Sequence, residues 1–92
     1  MRVLWTDAAL NQLEAIRDYL AHTSPDYARR VVERLVHRSE QIAAFPRTGR
    51  MVPEYEIDEV RQVIESSYRI IYLIKEERLE ILAVMHTSLC PI

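Results

Sequence analysis

Glycine and cysteine each occur once in this chain of 92 residues, and lysine or arginine is absent after Arg78. A single glycine cannot build a Gly-rich phosphate cradle and leaves little room for long flexible loops. A single cysteine, Cys90, permits no internal disulfide and no cysteine-based metal site, and its place near a free end suits an inert thiol. No apolar run approaches the roughly 20 residues that a membrane helix needs. The N-terminal MRVLWTDAAL enters an amphipathic pattern at once, without the apolar core of a signal peptide, so a cytoplasmic protein is expected. Nothing in the composition calls for a cofactor.

What remains is an ordinary globular composition, 49% hydrophobic and 28% charged. The length implies one domain, residues 1–92, able to hide about two-thirds of its unfolded surface. The net charge of −2 and pI near 5.9 argue against nucleic-acid binding driven by bulk electrostatics. The charge is unevenly spread. Arg29, Arg30, Arg34, Arg38, Arg47 and Arg50 stand against Glu33 and Glu40 in the second quarter. Glu54, Glu56, Asp58, Glu59 and Glu65 then stand against Arg61 alone. Two differently charged surfaces follow, or simply a solvated helix face and a solvated loop.

The order of elements is readable. Arg2 to Trp5 is a short strand pattern with Val3 and Trp5 on one face. Thr6 can cap a helix whose first turn holds Asp7 and whose apolar stripe is Ala9, Leu13, Ile16 and Leu20, ending near Ala21. Ser24-Pro25-Asp26 is a second helix start. Ala28, Val31, Val32, Leu35, Ile42 and Ala43 line one face of that helix until Pro46 stops it. About four linking residues force the two helices into an antiparallel hairpin. Three further segments, Asp58–Glu65, Tyr68–Ile74 and Leu79–His86, are rich in Val, Ile and Tyr and joined by short polar links, as in an antiparallel meander. The predicted fold class is α+β, in the order β-α-α-β-β-β, with the helical hairpin on one face of a mainly antiparallel sheet.

Strand alternation places Tyr68, Ile70, Tyr72 and Ile74 on one face and Arg69, Ile71 and Leu73 on the other. In the last segment Leu79, Ile81, Ala83 and Met85 oppose Glu80, Leu82, Val84 and His86. Both faces are largely apolar, yet the hairpin covers one. The other face is either partly exposed or covered by a partner, and a partner is expected. Arg61, Arg69 and His86 are the groups that can carry charge inside these strands.

The motifs, taken in order, resemble the RelE/ParE family of bacterial toxins from type II toxin–antitoxin modules. They are W-T-x-x-A at Trp5 to Ala9, then Leu13, Ile16, Tyr19 and Leu20, then Ser24, Pro25 and Ala28. F-P-R-x-G-R follows at Phe45 to Arg50, with V-P-E after it. Arg61, Y-R-I-I-Y at Tyr68 to Tyr72, and I-L-x-V-x-H at Ile81 to His86 complete the set. The resemblance spans Trp5 to His86 and agrees with the fold read from the pattern.

The resemblance implies one of two mechanisms. A RelE-like member is a ribosome-dependent endonuclease that cuts mRNA. It would use Arg61 and Arg69 to hold the scissile phosphate and His86 as general acid or base, with Glu54 more distant. A ParE-like member inhibits DNA gyrase by protein contact and contributes to plasmid stabilisation and growth arrest. Here Val60 and Gln62 flank Arg61, and the tail after His86 is Thr87-Ser88-Leu89-Cys90-Pro91-Ile92, so the cationic surround a ribosome-docking member carries is missing. V-P-E also resembles the ParE branch more. The sequence thus favours the ParE-like reading, with the nuclease and a non-toxic binding module on the same fold as alternatives.

Either branch implies an antitoxin partner, bound as an added strand or an amphipathic helix in a toxin–antitoxin hetero-oligomer. Arg50, Glu54, Arg61, Arg69 and His86 are the candidate contacts to target or antitoxin. Arg30, Arg34 and Arg38 offer a basic helix face to an acidic antitoxin segment. Plainer roles stand beside these. Arg69 can pair with Glu80 across strands, and Arg61 with Glu59 or Glu65. His86 can be a structural histidine. Trp5 and Phe45 are expected core anchors, and Gly49 a positive-φ turn.

Overall fold

The computed structural model describes residues 1–89. The elements are β1 (Arg2–Trp5), α1 (Asp7–Ala21), α2 (Pro25–Ala44), a 3-10 turn (Pro46–Thr48), β2 (Arg50–Met51), β3 (Val60–Glu65), β4 (Tyr68–Ile74) and β5 (Arg78–His86). The strands form one mixed sheet in the order β1-β5-β4-β3-β2, antiparallel except where β1 runs parallel to β5. This is the α+β arrangement read from the sequence, with one addition. Arg50 and Met51 pair with Gln62 and Arg61 as a two-residue edge strand. Two residues carry no alternation, so the sequence left no trace of it.

The helix boundaries follow their caps. Thr6 Oγ1 accepts from Ala9 N at 3.2 Å and donates to the Ile81 carbonyl at 2.8 Å, fixing the start of α1 against β5. Ser24 Oγ accepts from Tyr27 N at 3.2 Å, with Pro25 in the first turn where its missing N–H costs nothing. Between hairpin and sheet lie Ala9, Leu13, Val31, Leu35, Ile42, Val63, Ile70, Tyr72, Leu79, Ile81 and Val84. Each fully buried Leu, Ile or Val there contributes on the order of 1.5–3 kcal/mol of transfer free energy. Ser39 is buried among them, its hydroxyl donating to Val36 O at 2.6 Å.

Three sequence expectations are corrected. In the last strand the alternation breaks: Ile71 pairs with Ala83 but Tyr72 pairs with Ile81, which leaves Leu82 as a bulge. Leu79, Ile81 and Val84 therefore face the helices, while Leu82, Ala83 and Met85 pack on the other side. Phe45 is not a core anchor, being 74% exposed; Pro46 ends the helix with the ring directed outward. Trp5 does pack against the core. Gly49 has an extended backbone, φ −76° and ψ 163°, so it serves no positive-φ turn.

The helix-free face is also less open than expected. Val52, in the connector after β2, is fully buried against Val60 and Ile71, with Leu73, Leu82, Ala83 and Met85 around them. The connector thus covers one part of the face, and Leu4 and Ile64 remain exposed.

Candidate functional site

The charged groups singled out in the strands fall into three separate settings. Arg69 lies on the helix-free face and is 8% exposed. Its Nη1 donates to Gln62 Oε1 at 2.8 Å, and its Nη2 donates to Glu54 Oε2 at 3.2 Å and to the Leu89 carbonyl at 3.1 Å. A buried cation is tolerated only with such partners. Arg69 therefore ties β3, the connector and the segment after β5 to β4. The expected pairing with Glu80 does not form, because Glu80 stands opposite Leu73 and Arg69 opposite Met85. Glu80 instead bonds Arg78 at 2.7 Å.

Arg61 points to the other face, at the end of the sheet nearest the 3-10 turn. Its Nε donates to Asp58 O at 2.8 Å, its Nη2 to Asp58 Oδ1 at 2.6 Å, and its Nη1 to Gly49 O at 3.2 Å. Arg47 holds the second carboxylate oxygen, Oδ2, at 2.6 Å. The Arg47 hydrogen bond above all holds the Asp58 carboxyl below its ordinary value; desolvation opposes it, and the Arg61 hydrogen bond and the charges of both arginines add to the lowering. The local ion pair expected for Arg61 is present, but its acid is Asp58, not Glu59 or Glu65.

Under this corner sits Tyr72, fully buried. Its hydroxyl donates to Pro46 O at 2.6 Å and accepts from Gly49 N at 3.0 Å. Burial pushes the phenol's pKa up, while the Gly49 hydrogen bond and the charges of Arg61, Arg38 and Arg47 pull it down. Gly49 is required here by space. A β-carbon would lie 2.4 Å from Tyr72 Oη and 2.6 Å from Gln62 O. Arg50, in β2, is exposed and makes no ion pair among the described residues.

His86 closes β5 at the opposite end of the sheet, exposed. Its Nδ1 accepts from Ser88 N at 3.2 Å, and its ring meets Tyr68 edge-on with centroids 5.9 Å apart. Arg61 pairs with Tyr72 and His86 with Tyr68. Four strand residues, about 13 Å, separate the two along the sheet. Arg69 faces the far side. The three groups do not converge on one substrate atom.

Along α2, Arg30 lies over the Tyr27 ring at 5.8 Å, Arg34 Nη1 donates to Ser66 Oγ at 3.0 Å, and Arg38 faces Glu65 at 3.6 Å. The predicted basic face is a real stripe, though Arg38 is drawn toward the sheet. One feature escaped the sequence: a groove of 460 Å³ beside α1, lined by Ile16, Tyr19, Tyr68, Val84, His86 and Leu89. Only the bulge in β5 brings Val84 and His86 to that side. The roles of Asp58 and Tyr72 likewise leave little mark in the sequence, beyond an acid three residues before Arg61. Among the described residues no cluster of His, Cys, Asp or Glu is placed to hold a metal ion, and no helix is long and apolar enough to cross a membrane. Cys90 lies outside the described residues.

A helical hairpin on one face of a five-stranded mixed sheet is the arrangement of RelE/ParE toxins. The solved chromosomal ParDE system of P. aeruginosa superposes with a TM-score of 0.76 at 25% identity, covering 94% of this chain and 95% of that one. The RelBE2 toxin–antitoxin complex of Mycobacterium tuberculosis shares the fold, with a TM-score of 0.66 at 24% identity over 92% of this chain and 95% of its own. In sequence, the toxin RelE2 of Caulobacter vibrioides is 32% identical over 87 residues, 95% of this chain and 96% of that protein. The model of the ParE toxin of type II toxin–antitoxin systems, parDE, matches residues 3–88. The chain belongs to this family and is a type II toxin of the RelE/ParE superfamily.

Proposed function

We propose that this toxin acts by protein–protein contact on DNA gyrase and is neutralised by a cognate antitoxin. The observation that carries the reading is the scatter of the would-be nuclease groups. Phosphodiester cleavage through a 2′-OH needs a proton-transfer pair and a charge-stabilising cation around a single phosphate. Here Arg69 is buried and engaged on one face, Arg61 is held by Asp58 on the other, and His86 stands at the far end. A surface that binds protein needs no such convergence. The antitoxin is inferred to lie along α2, where Arg30 and Arg34 present charge to an acidic segment. It is also the partner that a complex such as RelBE2 suggests.

The test sets two assays side by side with purified toxin: inhibition of gyrase-catalysed supercoiling, and mRNA truncation in a translation extract. Inhibition without truncation is expected. Truncation without inhibition would overturn the reading in favour of the ribosome-dependent nuclease. Absence of any growth effect on induced expression would favour the non-toxic binding module.

A further inference from the structure

The end of the molecule where α2 passes through the 3-10 turn into β2 gathers arginines from four elements: Arg38, Arg47, Arg50 and Arg61. Three of them, Arg38, Arg47 and Arg61, are near enough to Tyr72 to act on its hydroxyl. The carboxylates in ion-pair contact with the four are Asp58, shared by Arg47 and Arg61, and Glu65, which faces Arg38. Four guanidinium groups thus share two ion-paired carboxylates at this corner. Among the described residues Arg50 makes no ion pair; it is exposed in the edge strand β2, opposite Gln62.

Apolar side chains stand beside these charges. Phe45 is 74% exposed and Met51 46%. Their backbone is held rigidly. Phe45 N donates to Ile42 O at 3.0 Å, and Phe45 O accepts from Thr48 N at 3.0 Å. The Tyr72 hydroxyl pins Pro46, one residue on, and Gly49, four residues on. An outward aromatic ring on a fixed frame is an anchor whose ordering cost is already met. Aromatic residues, methionine and arginine are the types enriched at the centres of protein interfaces, whereas lysine is depleted. The chain's only lysine, Lys75, lies in the link between β4 and β5.

We propose that this corner is the surface with which the toxin engages its protein target, and that the target presents an apolar pocket for Phe45 rimmed by carboxylates for Arg47 and Arg50. The inference rests on the protein-contact reading above. It sets Phe45 fifteen positions, about 22 Å along α2, from Arg30, with Arg38 of the same basic stripe reaching the corner. Nucleic acid is the less favoured occupant, because the chain as a whole carries a net charge of −2 and phosphate binding draws on a broad cationic surface.

The experiment compares wild type, F45A, R50E and R17E in gyrase-catalysed supercoiling, with thermal unfolding measured in parallel. Phe45 and Arg50 are exposed, so the unfolding temperature should hold. F45A should raise the half-inhibitory concentration about tenfold or more, as loss of an interface anchor does. R50E should raise it about three- to tenfold and flatten its salt dependence, while R17E, at an exposed arginine of α1, leaves it unchanged. If F45A and R50E inhibit like wild type, the corner is not the target surface and the gyrase reading stands. If wild type itself leaves supercoiling untouched, that reading falls and takes the inference with it. Binding of a single-stranded RNA oligonucleotide by wild type that is lost in R50E would also overturn the proposal, by making the occupant RNA.

Discussion

Gly49 and Tyr72 occupy one space: the glycine N–H donates to the phenol oxygen at 3.0 Å, and a β-carbon on Gly49 would lie 2.4 Å from that oxygen. Gly49→Ala should therefore destabilise the fold by about 1–3 kcal/mol, the usual cost of overpacking. Tyr72→Phe removes the hydroxyl but leaves the Gln62 carbonyl in the way, so it should not rescue Gly49→Ala. On its own it should cost about 1–3 kcal/mol, because Gly49 N–H and Pro46 C=O lose a buried partner. Urea unfolding of the two single variants and the double variant measures both.

The Arg69–Glu54 pair supplies a second prediction. Arg69→Met removes the buried cation from Gln62, Glu54 and the Leu89 carbonyl at once. The loss should be about 2–4 kcal/mol, at or below the range for breaking a buried pair, since Glu54 keeps some solvent contact. A double-mutant cycle with Glu54→Gln should give a coupling of roughly 1 kcal/mol or more. A coupling near zero would mean that Gln62 and Leu89 alone hold the guanidinium.

Acid should loosen the basic corner through Asp58. Its folded pKa is depressed below 3.8 by Arg47 and then Arg61. A depressed carboxyl contributes stability that is present above the unfolded pKa and is lost as pH falls through the folded one. Asp58→Asn should thus be less stable than wild type at pH 7, and the gap should close below about pH 4. Unfolding of both proteins between pH 7 and pH 2.5 tests the direction; a gap that widens in acid would contradict it.

The bulge at Leu82 makes a fourth outcome specific. Val84 faces the helices and is buried, whereas Met85 packs on the half-covered side. Val84→Ala should cost about 1–3 kcal/mol, and Val84→Asp should abolish folding, while Met85→Gln is tolerated far better. Unbroken alternation would reverse that order, so circular dichroism melts of the variants discriminate the two registers.

Much of the fold was legible because it rests on local chemistry. Thr6, Ser24 and Pro46 mark helix ends through caps and a missing N–H, and the stripes Ala9–Leu13 and Val31–Leu35 bury as their spacing requires. The site was less legible because its contacts are long-range. Gly49 meets Tyr72 across 23 positions, and Arg69 meets Glu54 across 15. Parity alone could not foresee the Leu82 bulge, since Leu82, Ala83 and Met85 are as apolar as Val84. Phe45 misled for a related reason: hydrophobicity indicates what burial would favour, but the Pro46 stop sets where the ring points.

The placement of β1 has a consequence for how the toxin is made. Its partner is β5, so Val3 waits for Leu79 and Thr6 for Ile81, some 75 positions later in synthesis. Contacts of such separation form late and slowly. Until β4 and β5 leave the ribosome, the helical hairpin has no sheet to cover and its apolar stripes stay wet. A message broken before the codons of β5 yields a chain that cannot close its core, so a folded toxin appears only once β5 has been translated.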